Sequence, residues 1–119
     1  MTRFSSLLSA VSAAAVLSMG VAAPAAAQDV EAAKALSQAN NCTQCHGIKK
    51  DKDAPAFLKI AEKYKGKASA EDDLVKHITS GKKVKLLDGS QEDHKIAKTI
   101  PPNDTAQLKN LVQWILATK

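Results

Sequence analysis

Cys42-Thr43-Gln44-Cys45-His46 sets two thiols three positions apart, with an imidazole directly after the second. Two more histidines, His77 and His94, lie further along the chain. A thiol pair at this spacing has four possible chemistries. A redox-active dithiol would sit beside a βαβ pattern, and no alternating strand is visible. A tetrahedral zinc site needs four ligands and usually a second paired motif, which His77 and His94 do not supply at normal spacing. A structural disulfide across so short a step is strained, and it leaves His46 unexplained. The fourth chemistry uses all three residues, because C-x-x-C-H is the attachment signature of c-type haem. Two thiols at this spacing reach the two vinyl positions on one edge of a porphyrin and form thioethers. His46 is then carried beneath the ring as the proximal iron ligand. The expected cofactor is one covalent haem c, with its iron, bound through Cys42 and Cys45.

Residues 1–27 are not expected to belong to the fold. Arg3 gives a positive start, Leu7 to Val21 is an apolar and small-residue run, and Ala25-Ala26-Ala27 precedes Gln28 as a cleavage pattern. No acidic residue occurs before Asp29. This is a secretory signal peptide, with an uncleaved anchor as the alternative. No other apolar run approaches the roughly 20 residues needed to cross a bilayer. Residues 28–119 then form one small exported domain, periplasmic in a bacterium. Only four aromatics occur in the whole chain, Phe4, Phe57, Tyr64 and Trp114. A core this thin is marginal by itself, and a buried macrocycle would fill it.

The chain carries 17 basic and 12 acidic residues. Every basic residue except Arg3 is lysine, spread along the chain with few aromatics between, so nucleic acid is not an expected partner. Such a surface is either simply solvated or steers the protein toward an acidic one.

The elements that must position these residues read as helices. Val30, Ala33, Leu36 and Ala39 recur at helical spacing, and Asn40-Asn41 ends that helix. Pro55 begins a second pattern, with Phe57, Ile60, Ala61 and Tyr64 on one face and Gly66 after it. Ser69 with Asp72 suggests a capped third helix carrying Leu74, Val75 and Ile78 inward and closing at Gly81. The stretch 82–102 is mostly polar, with a turn at Asp88-Gly89 and one or two helical turns between Ser90 and Ala97. Asn103 or Asp104 caps a last helix with Leu108, Leu111, Val112 and Ile115 inward.

The chain resembles the small class I bacterial cytochromes c over nearly all of residues 28–119. The resemblance rests on the first helix, Cys42-Thr43-Gln44-Cys45-His46-Gly47, the stretch Ala54 to Tyr64, the segment Ile100-Pro101-Pro102-Asn103, and Leu111 to Leu116. It implies an all-α cytochrome c fold, about four helices wrapped around one haem. It also implies that the Pro55 carbonyl accepts a hydrogen bond from the proximal imidazole, although Ala54 stands where the family has Gly. The plain role of Pro55 is that of a helix-start residue, and both roles can hold at once. His77 matches a position that approaches a haem propionate, with an exposed helical histidine as the plain alternative. Leu36 and Trp114 become packing residues where the first and last helices cross.

The chain departs from that family at the distal ligand. Ile100 stands where the family places methionine, and the only methionines are Met1 and Met19, both in the signal segment. His94, six residues upstream of Ile100, is the favoured replacement because imidazole binds haem iron strongly. An open iron, or a Lys, Asn or His77 ligand, are the alternatives. The expected function is single-electron transfer between redox partners by a monomer, with no enzymatic constellation in the sequence. Gas-ligand binding at an open iron, or service as the haem subunit of a larger periplasmic oxidoreductase, are the competing functions.

Overall fold

The computed structural model describes Gly20 and residues 28–119; the rest of the expected signal segment lies outside the described residues. Five helices and one hairpin follow in the order α1 (Val30–Ala39), α2 (Cys42–Cys45), α3 (Phe57–Tyr64), α4 (Ala70–Ser80), β1 (Lys83–Lys85), β2 (Gln91–Asp93) and α5 (Thr105–Leu116). The four expected helices are α1, α3, α4 and α5, and α2 is a single turn holding the cysteine motif. Among the described residues, no helix is long and apolar enough to cross a membrane.

Helix α5 is the centre of the packing. Its spacing puts Leu108, Leu111, Val112 and Ile115 on one face, and all four are buried. Asp104 starts the helix by accepting a hydrogen bond from the Gln107 N–H at 3.1 Å. Helices α1, α3 and α4 all pack against α5. The crossing with α1 is close because α1 offers Ala33 and Ser37 there, both fully buried. Ala39, expected on that face, is exposed; the inward stripe runs through Ala33, Leu36, Ser37 and Asn40. A side-chain clamp pins the start of α1 to α5. The Asn110 carboxamide accepts from Asp29 N–H (2.9 Å) and donates to the Asp29 carbonyl (2.7 Å).

The hairpin corrects the expectation for residues 82–102. Where one or two helical turns were expected between Ser90 and Ala97, strand β2 runs antiparallel to β1, pairing Lys83 with Asp93 and Lys85 with Gln91. Asp88 builds the turn by accepting from the Ser90 N–H (2.8 Å) and hydroxyl (2.6 Å). Gly89 supplies the left-handed residue the turn requires, at φ 90°. The N-terminus of α4 also differs. Ser69 precedes the helix, yet its hydroxyl donates to the Asp73 carboxylate (2.9 Å) and makes no cap to the backbone.

Candidate haem site

The cysteine motif is held from both sides. After α2, the backbone of His46 bridges to Ala54, and the Ala54 N–H donates to the Cys45 carbonyl (3.0 Å), closing residues 47–53 into a loop. That loop caps the next helix. Asp51 accepts from the Ala56 N–H (2.9 Å), Gly47 O from Phe57 N–H (2.8 Å) and Ile48 O from Leu58 N–H (3.0 Å). The first N–H groups of α3, which lack partners inside the helix, are thereby satisfied. A Cβ on Gly47 would lie 1.8 Å from the Lys50 carbonyl oxygen, so the turn admits no larger residue. Helix α3 begins at Phe57, two residues after Pro55. Pro55 therefore precedes the cap residue Ala56 and lies outside the first helical turn, whose N–H groups find partners in the loop carbonyls.

Pro55 stands instead against the imidazole. Its carbonyl lies 2.7 Å from His46 Nδ1. A carbonyl oxygen only accepts, so Nδ1 carries the proton and Nε2 keeps its lone pair free for a metal. Burial pushes the His46 pKa down, with the Pro55 bond opposing, and this keeps the ring neutral. Phe57 stacks on the same ring at 5.5 Å between centroids and is itself met edge-on by Trp114.

His94 arrives from the opposite side. It directly follows β2, and its N–H donates to the Lys82 carbonyl (2.9 Å), extending the hairpin ladder by one rung. Gln91, Glu92, Asp93 and Lys95 are all exposed, whereas His94 is half-buried and turned inward. Its Nδ1 lies 2.8 Å from the Lys95 carbonyl, so Nε2 is again the free nitrogen. The His46 and His94 ring centroids are 6.2 Å apart, with 47° between their planes. His77, also half-buried, sits beside His94 with ring centroids 4.6 Å apart. Burial is the main cause of its lowered pKa, and the neighbouring His94 adds to it.

All six residues expected at the site, Cys42, Cys45, His46, Pro55, His77 and His94, line one cavity of about 340 Å³. Phe57, Ile60, Leu74, Ile78 and Ile96 give it apolar walls, with Lys63, Lys85 and Lys95 also on its lining. Both cysteines are free thiols. Burial raises the Cys42 pKa, with the Ser37 hydroxyl acting against it, so the group stays a neutral thiol. A haem fits this donor set. Metal–imidazole bonds are about 2.0–2.1 Å, and two of them plus the half-widths of two rings come to about 6 Å, the spacing seen here. Ile100 is 91% exposed and does not line the cavity.

Sequence reasoning missed three contributors. Ser37 is polar and its type points to the surface, yet it is buried. Asn40 reads only as a helix end, yet its carboxamide bonds to the backbone at Lys98. Val84 reaches the cavity from a strand too short to show alternation.

The family model for cytochrome c matches residues 30–119. Cytochrome c-551 of Allochromatium vinosum is 34% identical over 97 residues, which cover 79% of this chain and 89% of that protein. Cytochrome c-552 of Hydrogenobacter thermophilus is 34% identical over 86 residues, covering 71% and 79%. The crystal structure of class 1 cytochrome MtoD from Sideroxydans lithotrophicus ES-1 superposes with a TM-score of 0.71 at 50% identity, covering 77% of this chain and 98% of that one. With the C-x-x-C-H cavity and the helical frame around it, these likenesses make the chain a member of the cytochrome c family: a small class I mono-haem cytochrome, an electron carrier with a single covalently attached haem c.

Proposed function

We propose that this cytochrome is exported with removal of residues 1–27 and carries single electrons between redox proteins of the periplasm, with His46 and His94 as the residues that would ligate the haem iron. Cys42 and Cys45 form the thioethers, and the Pro55 carbonyl fixes the tautomer of His46 and strengthens it as a donor. His77 contacts the haem edge and not the iron. Haem iron supplies the one-electron exchange; the protein holds it rigidly, shields it with apolar walls and presents lysines to the partner. The partner is expected to be acidic at its docking face, and a transient complex is sufficient for transfer. The observation that carries the proposal is the pair of imidazoles on one cavity, their centroids 6.2 Å apart, each with Nδ1 tied to a backbone carbonyl and Nε2 left free.

Absorption and EPR spectra of wild type, His94→Ala and His77→Ala test it, together with CO binding to the ferrous forms. Wild type should be low-spin in both oxidation states and bind CO slowly. Its potential should lie below that of Met/His cytochromes, because thioether sulfur favours the reduced iron more than imidazole does. His94→Ala should give a high-spin or water-ligated ferric spectrum and rapid CO binding, while His77→Ala keeps the wild-type ligation. A five-coordinate wild-type ferrous spectrum with rapid CO binding would replace electron transfer with gas binding as the leading function. Purification in a fixed complex would make the chain the haem subunit of a larger enzyme.

A further inference from the structure

The segment 94–99 belongs to no helix or strand, and Lys95, Ile96 and Lys98 within it are exposed. A ligand carried on such a segment holds its distance to the iron only if the backbone is fixed from outside. Contacts to the backbone of residues 94–98 fix it at three points. The His94 N–H donates to the Lys82 carbonyl (2.9 Å), and the Ala97 N–H donates to the Ile78 carbonyl (2.8 Å). The third point is Asn40, whose Oδ1 accepts from the Lys98 N–H (2.7 Å) and whose Nδ2 donates to the Lys98 carbonyl (3.0 Å). The same Nδ2 donates to the Leu36 carbonyl (3.0 Å) at the end of α1. The first two anchors are backbone bonds to α4 and the hairpin. The third is a side chain that stands two residues before Cys42, at the root of the attachment motif.

We propose that Asn40 is a positioning residue for the distal ligand, resting on the assignment of His94 to that role. Its carboxamide acts as a surrogate peptide group. It pairs with both polar atoms of Lys98, as one rung of an antiparallel ladder does. The spacing of the two imidazoles is thereby referred to one rigid unit, from His46 through Cys42 to Asn40 and back through Lys98 to His94. One other side-chain contact reaches the cysteine motif from this segment, Lys95 Nζ to Gln44 Oε1 (3.3 Å), but it is exposed and holds no backbone atom of the segment. Aspartate at this position would keep the bond to the Lys98 N–H but lose both donors and set a carboxylate against two carbonyls. Alanine would lose every contact.

The test uses the ferric and ferrous holoprotein with Asn40→Ala, Asn40→Asp and Asn110→Ala. Asn110 makes the same kind of two-bond clamp, on Asp29, far from the distal segment. It therefore controls for general loosening of the fold. The readouts are the CO association rate, the high-spin fraction of the ferric spectrum and the reduction potential, all well below each variant's unfolding temperature. Asn40→Ala should bind CO at least about tenfold faster than wild type and shift its potential. Asn40→Asp should lie between the two, and Asn110→Ala should lose stability with the wild-type CO rate. An Asn40→Ala protein with wild-type CO rate, spectrum and potential overturns the proposal while a bis-imidazole wild-type spectrum leaves His94 in place. A wild-type spectrum without a second imidazole overturns both. If Asn40→Ala does not mature, Asn40→Asp decides by the same measurements.

Discussion

Replacing Phe57 removes the ring that joins the proximal ligand to the helical core. Phe57 is 2% exposed, packs with Leu111 and Ile115, stacks on His46 at 5.5 Å and meets Trp114 at 5.7 Å. Truncating such a residue to alanine costs about 3–5 kcal/mol. Each aromatic pair carries about 0.5–1.5 kcal/mol beyond the area it buries, so the two ring contacts account for roughly 1–3 kcal/mol of that total. Phe57→Leu keeps most of the apolar volume and loses the ring contacts, so its cost should be about the same 1–3 kcal/mol. Domains are stable by about 0.05–0.15 kcal/mol per residue, or some 5–14 kcal/mol for residues 28–119. Phe57→Ala therefore removes a third or more of the typical value. In a domain of this size each kcal/mol is worth about 4–8 °C, so Phe57→Ala should melt at least about 12 °C lower. Guanidinium unfolding of the ferric holoproteins by circular dichroism measures both variants, with the slope checked for constancy. A loss under about 1 kcal/mol for Phe57→Ala, at unchanged slope, would show that the ring is not the joint described here.

Two further perturbations probe the loop and the surface. Asp51 accepts hydrogen bonds from Lys59 and from the Ala56 N–H, the Lys59 contact being the larger cause of its lowered pKa. A carboxylate whose pKa is lower in the folded state stabilises above its ordinary pKa, and the gain is lost as pH falls through the folded value. Asp51→Asn should thus be less stable than wild type at neutral pH and converge with it in acid; a pH-independent difference in unfolding midpoint would refute the assignment. For the surface, oxidation by anionic ferricyanide should slow as salt rises, because screening shortens the reach of the lysine field to about 10 Å at 0.1 M. Oxidation by a cationic cobalt complex should speed up instead, and rates insensitive to salt for both oxidants would leave the lysines as plain solvated surface.

Much of the site was legible because its chemistry is local in sequence. Two thiols and an imidazole in five residues specify the haem, and helical spacing over ten or more residues specifies α1, α4 and α5. What stayed hidden depends on partners distant in the chain. The hairpin has three-residue strands with mostly exposed side chains, so no alternation marks it. Ser37 lies inside because it falls on the face of α1 that packs toward α5, which a polar residue type does not reveal. Pro55 looks like a helix start, yet Gly47, Ile48 and Asp51 supply the partners of the first turn from outside the helix. Asn40 marks a helix end, as the sequence suggests, but its second role depends on Lys98, 58 positions away. His94 could be nominated only by elimination. Its inward turn follows from the hairpin register, which sets Lys82 opposite it.

The most direct measurement is pulsed electron–nuclear double resonance on the ferric holoprotein with nitrogen-15 in its histidines. Two strongly coupled axial imidazole nitrogens, falling to one in His94→Ala, are the predicted result. A wild-type spectrum with a single axial imidazole, the other position held by water or an amine, would contradict the account.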